Sequence, residues 1–491
     1  MIVYHPEIKV TLIKSSARKG VAFDDGGKET KATASRYGKS AGRFDLTPYL
    51  GDGAGVRTTK NVREPAGGFS LTLLDMPNTN WEDSIYGLIE PMDMVEIRFR
   101  HGFDATLGKK IPIVMRGFVS EVRREETMGQ DGKPSRKVIV TGQDAGKILQ
   151  IFLIYYLNNL ATSESTLATG FQFMQKFGTE FGEQLNVGDF FANIVDRVLN
   201  PFMKTIVGAA EDEALKNGFI PIVSIKGAVS PFVLSSFQDV SLYQMLKSLL
   251  DVGAFNEMYV EDAETSVNLV LRPIPFADVN GNLIQAGATV LYHDLLESDI
   301  QSLSVSRSDH NVGNWFWVQN NHWMLINDIS NQLTAQNTVA ESVDKRKYPN
   351  CAADKFGFRN MHETVSMGPE VLTDDVGAGT QAIRAKDDAN TSDWLKARRV
   401  ALGDMNKDNA VFESGTMRVR GDEKIKAGMI LKVKRGDGRI DQYYAVGVDH
   451  DYVPFQGCFT SVQFERGTGF ISRAQPDISP YRKEWDRGGL K

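Results

Sequence analysis

Alternation of apolar and polar positions dominates the first third of this chain. The runs FSLTL (69–73), MDMVEIRF (92–99), IPIVMRGFV (111–119) and RKVIVTG (136–142) show period-two patterning or a short apolar stretch bounded by turn residues, and predict β-strands. In the second run Val95, Ile97 and Phe99 face one way and Met94, Glu96 and Arg98 the other, as in a half-buried antiparallel strand. Residues 113–124 carry the third run on into GFVSEVRREE, a long strand leaving the core. Gly129, Asp131 and Gly132 then turn the chain into the fourth run, making a hairpin with a polar tip. None of these strands ends in a nucleophile, a metal cluster or a phosphate loop. Well-specified strands without chemistry point to a building block that works through the surface it presents.

The pattern changes along the rest of the chain. Residues 1–14 alternate as a strand with Val3, Ile8, Val10 and Leu12 inward, whereas 15–68 is rich in Gly, Lys, Thr and Ser and reads as a long loop. Such a loop is either an extension that orders against a partner or ordinary surface. From 143 the period becomes helical, at 145–157, 163–178 and 186–204. The last carries Val187, Phe190, Phe191, Ile194 and Val198 on one stripe that fades near Pro201. A polar linker, 205–216, follows. Another helix is expected at 241–250, capped by Ser241, with Leu242, Met245, Leu246 and Leu249 on one face. NEMYVED and SVNLVLRPIPF then open a second strand-rich block, which continues through LSVSRSDHNVGNWFWVQ with a turn at Asn311–Asn314. Residues 364–390 are weakly structured by composition, 391–402 helical, 411–470 a β module and the last stretch a polar tail. A similar β-block thus occurs twice, as a loose parallel in element order.

At 491 residues and 54.5 kDa the chain is too long for one core and predicts roughly two to four domains. With 42% hydrophobic and 24% charged residues it is globular. The net charge of -6 and pI near 5.8 argue against a dedicated duplex-binding surface. Its two cysteines, Cys351 and Cys458, are too few for a disulfide framework and read as small apolar side chains in a reducing compartment rather than as a single bridge. The opening MIVYHPEIKVTLIK lacks a basic n-region and is expected to be neither a signal nor a transit peptide. IFLIYYL (151–157) is too short to span a bilayer, so a soluble chain without membrane insertion is expected.

Candidate chemistry is sparse. No two histidines stand at HExxH spacing, and no CxxC motif is present. Asp309 and His310 are adjacent, and Asp449, His450 and Asp451 cluster in a strand; the second group suits a polar strand end better than a cation site or a poised base. GQDAGK (142–147) superficially resembles a phosphate loop, but its second glycine comes too early and Ile148 follows Lys147, so it reads as a tight strand-to-helix turn. Carboxylate runs such as DDGG read as solvated faces. No catalytic, cofactor-binding or metal residue is assigned, and the chain is not expected to be an enzyme. Trp315 and Trp317, two apart and so on one strand face, belong either to core packing or to a subunit interface.

Three segments taken together carry a resemblance: FSLTLLDMPNTNWEDSIYGLIEPMDMVEIRF, IPIVMRGFVSEVRREETMGQDGKPSRKVIVTGQDAGKILQ and FQDVSLYQMLKSLLDVGAFNEMYVED. In order and spacing they resemble the baseplate hub proteins of contractile-tailed bacteriophages, over about 71–160 and 228–275. The resemblance implies a mainly β, α+β chain with two tail-tube-like antiparallel β-barrel domains, a helical insertion and a small C-terminal β-barrel module. The corresponding domains are 1–142, a first tube-like domain with the 15–68 loop; 143–240, helical and lateral; 241–363, a second tube-like region; 364–410, linker and short helix; 411–475, the C-terminal module; and 476–491, the tail.

The implied function is structural, a homotrimer whose three pairs of domains match a hexameric tube above while its true threefold axis matches a trimeric spike below. Implied partners are the tail tube protein or a tube-initiator ring, the central spike, and tape-measure and inner baseplate proteins, with DNA only in transit and no cofactor. Its place would be the virion tail baseplate, after assembly in the host cytoplasm. Interface candidates are Asp131, Lys133, Trp315 and Trp317. The hub of a tailocin or secretion machine makes the same demands. A rival of another class is a cell-wall or polysaccharide hydrolase using Trp315, Trp317 and Trp323 as sugar platforms.

Overall fold

The computed structural model describes residues 6–14, 20–32, 42–75, 84–102, 111–128, 132, 134–154, 185–207, 213–229, 240–320, 348–369 and 380–474. Among the described residues, nine strands lie in the first third. They are β1 (Glu7–Lys14), β2 (Gly20–Phe23), β3 (Glu29–Ala32), β4 (Gly42–Asp45), β5 (Gly55–Asn61), β6 (Gly68–Leu74), β7 (Met94–Arg100), β8 (Ile113–Met128) and β9 (Pro134–Asp144). Apart from the small β2–β3 hairpin they form one curved run in the order β5-β6-β9-β8-β7-β1-β4. Alternate residues of these strands, among them Val10, Leu12, Val56, Leu71, Val95, Ile97, Val119 and Val140, meet in one core. The long β8–β9 hairpin expected from the pattern is present, with register from Gly117↔Asp144 to Met128↔Pro134. The 15–68 stretch, expected as a loop, instead contains four strands. β5 was hidden because GVRTTKN is polar at most positions, and the sheet buries only Val56 and Thr58 of it.

The second half of the chain builds the same arrangement again. After β10 (Leu153–Ile154), β11 (Leu185–Asn186), β12 (Phe219–Val223), β13 (Ala228–Val229), β14 (Val240–Ser241), β15 (Asn256–Asp262) and β16 (Val267–Pro273) come β17 (Tyr292–Leu296) and β18 (Ile300–Ser306). The strands β19 (Trp315–Asn320), β20 (Asn360–Val365) and β21 (Met367–Gly368) follow, and the chain finishes with β22 (Glu413–Arg420), β23 (Ile430–Lys434), β24 (Ile440–Val453) and β25 (Gly457–Gly467). The order is β18-β22-β25-β24-β23-β17. Replacing β5, β6, β9, β8, β7 and β4 by β18, β22, β25, β24, β23 and β17 reproduces the first module, with β1 as one extra strand between β7 and β4.

Pairing directions agree as well. β17 is parallel to β23, and β4 is parallel to β7 because β1 runs antiparallel to both. In each module the two outermost strands are consecutive and joined through a 3-10 turn, Thr47–Tyr49 in one and Glu297–Asp299 in the other. The correspondence reaches single hydrogen bonds. Met92 N–H donates to Val119 O and Val119 N–H to Asp93 O, and likewise Gly428 N–H donates to Ala445 O and Ala445 N–H to Met429 O. Met92 and Gly428 both take the left-handed backbone, with φ of 69° and 86°. A bulge follows in each long strand, between Val119 and Glu121 and between Ala445 and Gly447. Each module ends in a helix, Lys147–Ile151 and Gly469–Ala474.

These modules correct the expectation of closed barrels. No ladder joins β4 to β5 or β17 to β18, and the two modules run together as one open sheet of 13 strands. A strand has two edges, and β5 uses its second edge on β24 through Val56↔Tyr452 to Asn61↔Gly447, so that edge is not available to β4. β24 serves both modules: its first half pairs with β23 and, past the bulge, its second half pairs with β5. The C-terminal strands likewise curl around their own core, with Leu295, Met417, Leu431, Ala445, Val462 and Phe464, without closing.

Between the modules sits a mixed body. Its three-stranded sheet β12-β16-β15 packs against the helices Val187–Ile194, Asn200–Val207 and Leu242–Leu249 in the largest core. The last helix has the expected cap: Ser241 Oγ accepts from Gln244 N–H, and the Gln244 side chain accepts from Ser241 N–H. The helix expected over 186–204 runs from Val187 to Val207, through a π turn at Val195–Leu199. That widened turn lies just ahead of Pro201, a residue that lacks an N–H and crowds the preceding turn, and lets the helix pass through it. The expected helix at 163–178 lies outside the described residues. A fourth core joins β19 and β20, a parallel pair, to the helix Thr380–Asn406.

Candidate functional site

The residues that unite the modules and the middle body form a connected set of hydrogen-bonded polar nodes. Three strand arginines, Arg116 and Arg272 inside apolar runs and Arg466 near the end of β25, reach from one part to another to grip backbone carbonyl groups. Arg116 of β8 donates to Ala263 O and to Glu264 O (2.7 Å), gripping the β15–β16 turn, while Glu264 accepts from Arg98 (2.9 Å) and Ile113 N–H (3.0 Å). Arg272 of β16 donates to Gly428 O (2.6 Å), Thr289 O (2.9 Å) and Glu257 (2.6 Å), and Tyr444 O–H donates to the other Glu257 oxygen (2.6 Å). Arg466 of β25 donates to Met405 O and Ala277 O, both at 2.7 Å. A guanidinium presents five donors in a rigid fork, which fixes the relative placement of three chain segments better than one ammonium does.

A fourth node lies where β5, β9 and β15 meet. Lys60 Nζ sits 2.6 Å from Asp262 and 3.0 Å from Asp144. Burial works against the Lys60 charge, but the two carboxylates outweigh it and raise its pKa. Beside this node, on the outer side of the β5–β24 ladder, Arg57 pairs with Asp449 (2.7 Å) and Asp451 (3.6 Å). The cluster Asp449–His450–Asp451, expected at a strand end, lies inside β24, which runs on to Val453, and Arg57 of the neighbouring strand takes up both carboxylates. His450 Nδ1 lies 3.0 Å from Thr460 Oγ1, and burial pushes its pKa down to about 4, leaving a neutral ring.

The phrase IEPMDM (89–94) also has a structural use. Glu90 and Asp93 hold the ammonium of Lys14 at 3.0 and 2.8 Å, with Leu88 O accepting at 2.7 Å, so the turn before β7 is locked onto β1. GQDAGK is a tight strand-to-helix turn: Asp144 Oδ1 accepts from Gly146 N–H (2.8 Å) and Lys147 caps Val119 O (3.2 Å). Its glycines allow close approach, since a side chain at Gly142 would overlap Phe69 and one at Gly146 would overlap Pro65 O.

Of the interface candidates, Asp131 and Lys133 lie outside the described residues, as does Trp323. Trp315 and Trp317 share a face of β19, opposite the buried Phe316 and Val318. One face of each ring is already covered, by Phe358 at 4.7 Å and by the Arg399 guanidinium at 4.5 Å. Asp309 pairs with Arg359 at 2.7 Å rather than with His310. Both cysteines are buried and unpaired with each other. Among the described residues no group of three or more His, Cys, Asp and Glu side chains is placed to hold a metal ion, and no helix is long and apolar enough to cross a membrane.

Asp251 marks a different joint. Its backbone is left-handed (φ 50°), and its carboxylate accepts from Ser366 N–H (2.6 Å), where the chain crosses from the core holding Val365 to the core holding Met367. Burial pushes its pKa up to about 6, although the Ser366 N–H, Arg398 and Met367 N–H favour the ionised form. A carboxyl that binds its proton more tightly when folded stabilises the fold at low pH, and that contribution is lost as pH rises from about 4 to 6. The loss is at most about 3 kcal/mol. Asp251→Asn keeps an acceptor for Ser366 and should raise stability at pH 7 while flattening the pH 4–6 slope. Urea titrations at several pH values test this, and an unchanged slope would contradict it.

No family model and no curated protein matches the chain. Among solved structures it is similar to a tail protein from Neisseria meningitidis MC58, with a TM-score of 0.43 and 10% identity over 96% of this chain and 99% of that one. It is also similar to the 43 kDa tail protein of prophage MuSo2 from Shewanella oneidensis, with a TM-score of 0.41 and 11% identity over 94% and 96% of the two chains. The prophage tail protein gp18 from Listeria monocytogenes EGD-e gives a TM-score of 0.36 and 9% identity over 93% and 94%.

Proposed function

We propose that this chain is the central hub of a contractile-tail baseplate, a homotrimeric symmetry adaptor between a hexameric tube and a trimeric spike. The observation that carries the reading is the repeated module. One chain holds two β modules of the same strand order, fused edge to edge through β5 and β24. Three copies then offer six similar modules to a six-fold partner while keeping a true threefold axis for a three-fold one. The arginine nodes support a structural role, because an adaptor must hold its modules at a fixed angle and buried guanidinium–carbonyl bonds resist the shear that would change it. The resemblance in 71–160 and 228–275 is independent support, since its phrases make β6 to β9, the Lys14 lock and the capped helix Leu242–Leu249.

Such a subunit would reside in the tail baseplate of a virion, contacting tube and spike proteins; a tailocin or secretion hub meets the same physical demands. Nothing specific favours the hydrolase reading, whose Trp315 and Trp317 platforms are each covered on one face. Mass measurement at micromolar concentration, alone and with a spike chain, tests the proposal. A species of three times 54.5 kDa is expected, and a chain that stays monomeric in both conditions would overturn it.

A further inference from the structure

The joint within one chain has a counterpart that is left open. Beyond the bulge β24 is paired on both edges, by β25 and by β5. β8 is its equivalent, and past its own bulge β8 keeps β9 on one edge while β7 has ended at Phe118. From Ser120 to Met128 the other edge of β8 has no strand among the described residues, and Ser120, Glu121 and Arg123 are exposed. The equivalent of β5 is β18, which among the described residues pairs only with β22. β18 is seven residues long, IQSLSVS, without a charge or proline, and five of its seven residues are exposed. Natural sheets guard such edges with Lys, Pro or a covering element, and an unguarded one is a template for another strand.

We infer that β8 beyond its bulge pairs antiparallel with β18 of a second copy of this chain, repeating between copies the β24–β5 joint found within one. The internal equivalences also fix the register. Val305 opposes Gly415 as Thr58 opposes Phe69, while Phe464 and Gly142 hold matching places on β25 and β9. Transferring Asp451↔Arg57 and Asp449↔Thr59 then places Glu125 opposite Ser304 and Arg123 opposite Ser306. The contact is head-to-tail, because β8 and β18 are different surfaces, and each copy offers one of each. A head-to-tail contact that closes makes a ring. In a ring of three, the three joints within chains and the three between chains would be alike.

This inference rests on the homotrimer reading, and the two fail differently. In hydrogen exchange on the wild-type chain, dilute monomer against assembled protein, the amides of 120–128 and 300–306 should both slow at least tenfold on assembly. A Glu125→Cys/Ser304→Cys double variant should give covalent multimers up to the trimer under oxidation, while each single variant should not; the native cysteines are buried. If trimers form but both segments exchange as in the monomer, the strand pairing is wrong and the hub reading survives. If no trimer forms under any condition, the hub reading itself fails and the pairing with it.

Discussion

Replacing Arg272 by Met is expected to destabilise the protein by about 3–5 kcal/mol, because it leaves the Glu257 carboxylate inside the joint without its countercharge. Glu257 is 5% exposed and would keep only the Tyr444 hydroxyl, while Gly428 O and Thr289 O would lose their donors together. The change removes a bond to each of three segments at once, so it should also loosen the C-terminal module against the middle body. Denaturant unfolding gives the magnitude. The double variant Arg272→Met/Glu257→Leu separates the causes: if the buried carboxylate is the main penalty, the double variant should be more stable than the single one. Arg272→Met with unchanged stability would show that the arginine is not part of what holds the modules together.

The second large effect belongs to the first module. Val95 is 1% exposed and packs with Leu12, Ile97, Met115 and Val119 in one core. Val95→Asp puts a carboxylate there with no partner, at a cost of several kcal/mol. Soluble assembly should be lost. Val95→Ala separates assembly from charge: it removes less and should leave a folded, assembling protein with lower denaturant resistance. If Val95→Asp assembled normally, the inward face of β7 would be the opposite one.

Much of the first module was legible because apolar and polar positions alternate in MDMVEIRF and RKVIVTG; burial follows that alternation in β9, whereas β7 is buried on both faces, with Glu96 on its polar face paired to Arg98. The helix Leu242–Leu249 was legible for the same kind of reason, with a capping serine before an apolar stripe. The seam strands were not. β5 (GVRTTKN) and β18 (IQSLSVS) sit at module edges, bury few side chains, and so carry little pattern. The loose parallel in element order was drawn to a block opening at NEMYVED, whereas the strands that share the first module's order are β17, β18 and β22 to β25. These could not be matched by sequence because equivalent turns use different residues for the same backbone: Met92 and Gly428 are both left-handed, yet PMDM and AGMI look unrelated.

Barrel closure was misjudged for a long-range reason. Whether β5 pairs with β4 or with β24 depends on a strand almost four hundred residues away in sequence, as the Arg57–Asp449 separation of 392 records, and no local pattern reports it. The arginine nodes did leave a signal. Arg116 in IPIVMRGFV and Arg272 in NLVLRPIPF interrupt apolar strand runs, where a charge is tolerated only if something nearby accepts its bonds. Trp315 and Trp317 were correctly placed on one strand face, but only the three-dimensional neighbours, Phe358 and Arg399, show that part of their surface is already used.

An electron-microscopic image of the purified assembly viewed down its axis bears most directly on the proposed adaptor. The two-module chain predicts a ring with six similar β densities around a central opening, alternating in detail so that only threefold symmetry is exact. A ring of three unlike lobes without six-fold features, or particles holding one or two chains, would contradict it.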